Sequence, residues 1–221
     1  MKGEVHRTLL NNEIEILRRL SNTHNVIRCH DILPMKHQTC IVTEHCEGGD
    51  LAKIIKTKKL IPEVEATGIL KQIINGYKGI WKEGVVHRDL KPANIFFTDG
   101  RVKIADFGFA IKSADLKKSS TYNVGSPVYM PLEALNDNNY SSKSDVWAIG
   151  VIFYEMLTGK TPWRAKTETD LKRQIKAVSI KSVIPAHVSR NATEFLCRSL
   201  SLNPSMRMTP DEMISYFEEG M

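Results

Sequence analysis

The feature that most constrains this chain is residues 85–108, Val-Val-His-Arg-Asp-Leu-Lys-Pro-Ala-Asn-Ile-Phe-Phe-Thr-Asp-Gly-Arg-Val-Lys-Ile-Ala-Asp-Phe-Gly. Two short apolar runs, 94–98 and 101–105, flank Asp99-Gly100, a dipeptide that readily takes the positive φ angles of a tight hairpin turn. Such a hairpin brings Asp89, Lys91 and Asn94 close to Asp106 at its open end. Carboxylate and amide oxygens suit a hard divalent cation, and an ammonium neutralises phosphate charge. The expected ligands are therefore a nucleotide's phosphates and Mg²⁺.

A chain of 221 residues can build one sizeable core, or two lobes sharing a cleft. With 42% hydrophobic and 25% charged residues and no repeat, it reads as an ordinary globular chain. Cys29, Cys40, Cys46 and Cys197 show no Cys-x-x-Cys spacing, which argues against a zinc site or a disulfide framework. That usage, and a start without an apolar run of signal-peptide length, predict a cytoplasmic protein. The most apolar segment, 146–157, carries Glu155 and is too short for a bilayer, so it reads as a buried helix with no membrane role. The net charge of +6 is modest, and Lys56, Lys58, Lys59, Lys117 and Lys118 read as solvated faces. A nucleic-acid partner would want a basic stripe with stacking aromatics, and none is expected.

Along the chain, Leu10, Ile14, Leu17 and Leu20 predict an amphipathic helix over 7–20. Strands are predicted at 26–33 and 39–44, and Asp50 caps a short helix to about residue 56. Pro62 opens a longer helix whose stripe runs from Ala66 to Trp81 and which ends at Gly84. Residues 112–123 read as a polar loop, and helices are predicted beyond it at 144–158, 166–178, 192–200 and 210–218.

The order His87-Arg88-Asp89 … Asn94 … Asp106-Phe107-Gly108 resembles the catalytic and metal-binding loops of eukaryotic protein kinases, and the likeness covers almost the whole chain. The resemblance implies a role for each of several residues. Asp89 is the catalytic residue that orients the substrate hydroxyl, assisted by Lys91 and Asn94. Asn94 and Asp106 hold Mg²⁺. Lys91 marks the serine/threonine branch. Glu44 and Cys46 lie in the hinge that binds adenine, Thr43 guards the pocket behind the adenine, and Asp50, Phe96 and Asp106 complete the ATP site. Asp145 ties down the catalytic loop, and Arg207 pairs with Glu133 of Pro131-Leu132-Glu133. His87, Phe107, Leu17 and Cys29 stack as an internal spine. Arg88, Thr121, Tyr122 and Glu13 are regulatory, with Thr121 or Tyr122 as phosphorylation sites. Asp50 and Glu155 are candidate contacts for basic residues of a substrate. Phe109 is shared with Unc-51-like and some calcium-regulated kinases and does not by itself select a subfamily.

Glu13 departs from the pattern. In the resembled family this Glu pairs with a strand Lys that comes after a glycine-rich loop. The twelve residues before it hold only Lys2 and no Gly-x-Gly-x-x-Gly. The chain is thus expected to be α+β and protein-kinase-like. A truncated small β-lobe, 1–46, carries one helix and two strands, and a complete, mainly helical large lobe spans 47–221. Glu13 is expected to lie exposed, or to pair with Lys2 or Lys103. The expected function is transfer of the ATP γ-phosphoryl group to a Ser or Thr of a protein substrate. The alternative is a kinase-like binding or scaffolding module without transfer.

Overall fold

The structure, a computed structural model, describes residues 2–36, 38–118 and 124–218; the side chains of residues 2–8, 117 and 118 are not described. Helix α1 (Lys2–Arg19) begins earlier than its apolar spacing predicts, because the polar first turn carries no periodic signal yet nothing in it stops a helix. Its stripe packs inward: Ile16, Leu17 and the following Leu20 are buried, while Leu10 and Ile14 are half-buried. Strands β1 (Cys29–Pro34) and β2 (Thr39–Thr43) form an antiparallel hairpin. The first strand starts later than expected. Asn25 turns the chain at φ 61°, and Val26 forms a separate parallel bridge to Ile104.

Asp50 caps α2 (Leu51–Lys58) by accepting the Lys53 N–H at 2.9 Å. Helix α3 (Glu63–Lys82) starts after Pro62, and its stripe from Ala66 to Ile80 is buried. Strand β3 (Val85–Val86) then enters the central stretch. A short 3₁₀ turn (Pro92–Asn94) leads into the hairpin β4 (Ile95–Thr98) and β5 (Arg101–Ile104). Asp99 and Gly100 turn it with φ 48° and 71°, as the dipeptide predicts. Strand β6 (Ile111–Lys112) pairs back onto β3. Each of these two strands has only two residues, too few to show an alternation in sequence.

After a 3₁₀ stretch (Ser113–Lys118) and another (Pro127–Tyr129) come α4 (Leu132–Asp137), α5 (Ser142–Thr158), α6 (Glu168–Ala177), α7 (Ile180–Val183), α8 (Arg190–Ser199) and α9 (Pro210–Glu218). The short helices α4 and α7 are additions to the sequence expectation. Helix α5 is the axis of the large lobe, and nearly every side chain on it from Ser144 to Leu157 is buried. Gly150 lets α8 approach closely: a Cβ there would lie 2.5 Å from Ser199 Oγ. None of the described helices is long and apolar enough to cross a membrane.

Candidate active site

Three backbone devices aim the polar side chains of the central stretch. Buried Asp145, on α5, accepts the His87 N–H at 2.8 Å and the Arg88 N–H at 3.0 Å, one on each carboxylate oxygen. That holds the loop while Arg88 takes a left-handed φ of 67°. The Ala105 N–H donates to the Asn94 carbonyl at 2.9 Å, closing the open end of the β4–β5 hairpin. Asp106 comes next, at φ 65°.

The four predicted groups lie on these devices. The Asp89 side chain is 2% exposed and accepts three described hydrogen bonds, which leaves Oδ1 able to accept another. Its Oδ2 accepts Lys91 Nζ at 2.6 Å and Asn94 Nδ2 at 3.3 Å; its Oδ1 accepts the Ser126 N–H at 2.9 Å. Asn94 Nδ2 also donates to the Asp89 carbonyl at 3.0 Å. Asp106 is exposed, and its carboxylate accepts only a long 3.4 Å contact from the Gly108 N–H among the described hydrogen bonds.

Sequence reasoning missed Ser126. Its hydroxyl accepts Lys91 Nζ at 3.1 Å, so backbone and side chain of one residue grip both Asp89 and Lys91. The signal available was Gly125 before it. Gly125 has φ 102°, and a Cβ there would lie 2.5 Å from the Arg88 carbonyl oxygen. Only glycine allows that close approach.

Of the four expected spine residues, two are in direct ring contact. The His87 and Phe107 rings lie 4.9 Å apart, Leu17 is buried in the same cluster, and Cys29 packs against it half-buried. Burial holds the His87 imidazole below its ordinary pKa, hence neutral, with Nε2 3.2 Å from the Ala105 carbonyl. Burial also pushes the Asp145 carboxyl up to about 7 against the pull of its two N–H donors. The expected pair Glu133–Arg207 is present. Arg207 is fully buried, donates to Glu133 at 2.6 and 3.3 Å, and lies 4.9 Å over the Trp147 ring. Glu155 accepts the Tyr129 hydroxyl at 2.7 Å, and burial raises its carboxyl.

Just after β2, the Glu44 carboxylate accepts the Arg28 N–H at 2.7 Å and pairs with Lys103 at 2.7 Å. Cys46 is half-buried beside it, and burial raises its thiol. Asp50 and Phe96 meet in an antiparallel bridge that ties α2 to the hairpin. Besides capping α2, Asp50 sits 3.2 Å from the Lys53 ammonium.

Two expectations for Glu13 are corrected. Lys103 is committed to Glu44, because β5 faces the end of β2 there, and so is not its partner. Nor does Glu13 lie exposed: its carboxyl is half-buried, and burial, with the nearby Asp106 charge second, raises it. A Cβ on Gly108 would lie 3.4 Å from Asp106 Oδ1 and 3.8 Å from Glu13 Oε2, so the two acids converge there. Among the described side chains Glu13 has no ion-pair partner, and the Lys2 side chain is outside that set. Thr121 and Tyr122 also lie outside the described residues. Arg88 is buried, with Nε donating to the Phe109 carbonyl at 2.6 Å and the guanidinium 5.5 Å over the Tyr140 ring.

Among the described residues no cluster of three or more His, Cys, Asp or Glu could hold a metal by itself. The donor set fits Mg²⁺ in another way. With its nitrogen engaged by Asp89, Asn94 has its oxygen to offer, and the Asp106 carboxylate is open. Mg²⁺ is commonly held by one or two such oxygens plus substrate phosphates and water.

Residues 2–217 match the family model described as protein kinase domain. The chain is 36% identical over 214 residues to serine/threonine-protein kinase atg1 of Dictyostelium discoideum, covering 94% of this chain and 31% of that protein. It is 34% identical over 221 residues to serine/threonine-protein kinase ULK1 of Homo sapiens, covering 95% and 21%. It is 34% identical over 211 residues to serine/threonine-protein kinase ULK3 of Xenopus laevis, covering 93% and 43%. The chain therefore spans less than half the length of each of these curated relatives. With the matched domain coinciding with the whole described fold, the chain belongs to the eukaryotic protein kinase superfamily, serine/threonine type.

Proposed function

We propose that this chain transfers the γ-phosphoryl group of ATP to a Ser or Thr hydroxyl of a protein substrate. The observation that carries this reading is the arrangement at Asp89: one buried carboxylate held by Lys91, Asn94 and Ser126 beside the open carboxylate of Asp106. In this reading Asp89 accepts a hydrogen bond from the substrate hydroxyl and orients it, with Lys91 offsetting negative charge on the transferred group. Asn94 and Asp106 hold Mg²⁺, whose chemistry is to neutralise charge shared between phosphate oxygens. The segment ending at Cys46, with Asp50 and Phe96, forms the nucleoside side of the cleft. Arg88, Thr121 and Tyr122 are the regulatory set, since a phosphate near an Arg can order a loop.

A radiolabelled-ATP assay on the purified chain, with a mixed protein substrate, tests this. Asp89→Asn should lower transfer by about 10³-fold or more, because the amide offers one acceptor where the carboxylate had two. An Asn variant as active as wild type would sink the assignment.

One observation favours a second reading, a kinase-like module that binds without transfer. Glu13 faces Asp106 with no described cation, so the phosphate-gripping ion pair of the family is not formed within the described residues. Calorimetry with Mg²⁺ and ATP separates the two. Binding with no turnover supports the module, and turnover abolished by Asp89→Asn supports the enzyme.

A further inference from the structure

The segment after Asp106-Phe107-Gly108 is held from both sides. From the catalytic loop, Arg88 Nε donates to the Phe109 carbonyl at 2.6 Å, and Val86 pairs with Ile111 in the β3–β6 ladder. From α1, Asn12 Nδ2 donates to the next carbonyl, that of buried Ala110, at 2.6 Å. One turn further along the helix, the Glu15 carboxylate meets Lys112 Nζ at 2.5 Å. Residues 109–112 therefore form a strap with the catalytic loop on one side and α1 on the other. Asn12 and Glu15 flank Glu13, the residue that converges with Asp106 on Gly108, and Leu17 lies two positions beyond Glu15 in the core cluster.

We propose that Asn12 and Glu15 are positioning residues that fasten α1 to the activation segment. Through them, residues 110–112 set where Glu13 and Leu17 stand at the nucleotide site. Among the described residues, these contacts hold α1 inward from the large-lobe side. The two contacts are unequal. Asn12–Ala110 is shielded, and Ala110 offers its carbonyl from a buried backbone, so losing the donor leaves that oxygen unsatisfied. Glu15 is 52% exposed and Lys112 29%, so their ion pair is screened and weaker. Asn12 is accordingly the main fastener and Glu15 the one that fixes register.

The inference rests on the kinase reading for its meaning at the nucleotide site, but its test does not need turnover. Amide hydrogen exchange would be followed for α1 and α5 in the full chain. The variants are Asn12→Leu, the conservative Asn12→Gln, Glu15→Lys, Lys112→Glu, and the double charge reversal. Asn12→Leu should speed exchange across 9–19 by about five- to tenfold while leaving α5 unchanged, and Asn12→Gln should recover part of the protection. Each single charge reversal should speed it about twofold and the double reversal should restore it. Unchanged α1 exchange in Asn12→Leu, or acceleration spread equally over α5, overturns the proposal. So does a double reversal no better than the singles. Titration with Mg²⁺ and a non-hydrolysable ATP analogue adds the site readout. If the wild type binds the analogue, Asn12→Leu should weaken it several-fold, and unchanged affinity overturns the positioning role. If the wild type binds none, the kinase reading fails, and exchange still decides whether the fastening exists.

Discussion

Helix α5 and the β1–β2 hairpin are built on opposite principles. In α5, thirteen of seventeen residues are buried, including Trp147, Ile152 and Phe153. In the hairpin no described residue is fully buried, and Leu33, Met35 and Val42 stand 46%, 55% and 39% exposed at or beside it. A helix enclosed on all sides carries its stability with it. A two-stranded sheet is marginal by itself and depends on what it leans against. Here it leans on the Glu44–Lys103 pair, on the bridge from Val26 to Ile104, and on α1. The difference separates where the fold is held from where the site can be adjusted.

The sharpest break of this comparison is a matched truncation. Phe153→Ala should cost about 3–5 kcal/mol, because it empties a dense core and removes the edge contact with Phe195, 5.7 Å away. Ile32→Ala, at a half-buried position of the mostly exposed β1, should cost about 1 kcal/mol or less. Denaturant unfolding monitored by far-ultraviolet circular dichroism measures both. Equal costs would show that the hairpin is as tightly packed as the axis helix.

Next in size is the pH dependence that α5 imposes through Asp145. Its carboxyl is raised from 3.8 to about 7 in the fold, so folding takes up a proton. The contribution is fully present below pH 3.8 and is lost as the pH rises through about 7, in total on the order of 4 kcal/mol. Asp145→Asn removes this slope. The wild type should therefore lose stability relative to the variant between pH 5 and pH 8. His87 contributes a slope of opposite sign below its ordinary value of 6.5, but it does so in both proteins and cancels in the difference. A wild-type-minus-variant difference that is flat with pH, or that rises with it, refutes the assignment.

How much of the molecule is readable from sequence differs by element for physical reasons. Helix α3 announces itself because eight apolar or small positions repeat at helical spacing, and the β4–β5 hairpin because only a few residue pairs turn so tightly. Strands β3 and β6 are too short for any period. They exist because the chain must cross itself beside His87, which is a tertiary fact. Asp89, Lys91, Asn94 and Asp106 are legible because unlike polar groups stand at fixed offsets around a turn. Ser126 is not, since one hydroxyl among many in a polar stretch carries no pattern. The half-burial of Glu13 depends on where α1 docks, which spacing cannot say.

A smaller effect sharpens the comparison on the hairpin side. Glu44 and Lys103 are 20% and 18% exposed, so their pair is partly shielded and couples the segment after β2 to β5. Lys103→Met should cost about 1 kcal/mol, mostly by leaving Glu44 half-buried with the Arg28 N–H alone. A double-mutant cycle with Glu44→Gln should return a coupling of about 0.5–1 kcal/mol, and zero coupling would mean that the segment after β2 is held by backbone alone. The smallest effect belongs to Leu33→Ser, expected within about 0.5 kcal/mol of wild type.

The stacked indoles of Trp147 and Trp163 have an optical consequence. Their ring centres lie 5.2 Å apart with planes only 6° from parallel, and the third tryptophan, Trp81, sits on α3. Two chromophores so arranged couple their transitions, and the resulting near-ultraviolet signal vanishes when α5 parts from the loop that carries Trp163. No tryptophan lies in residues 1–46. Indole fluorescence and near-ultraviolet dichroism are therefore windows onto the large lobe alone. A loosening of α1 and its hairpin that precedes global melting would pass unseen by both, and a single smooth indole transition would coexist with two structural ones. A fluorophore that covers the other lobe can be placed at Val42, whose exposed side chain tolerates exchange for tryptophan. With it in place, separation of the two melting curves reads out the independence of the lobes directly.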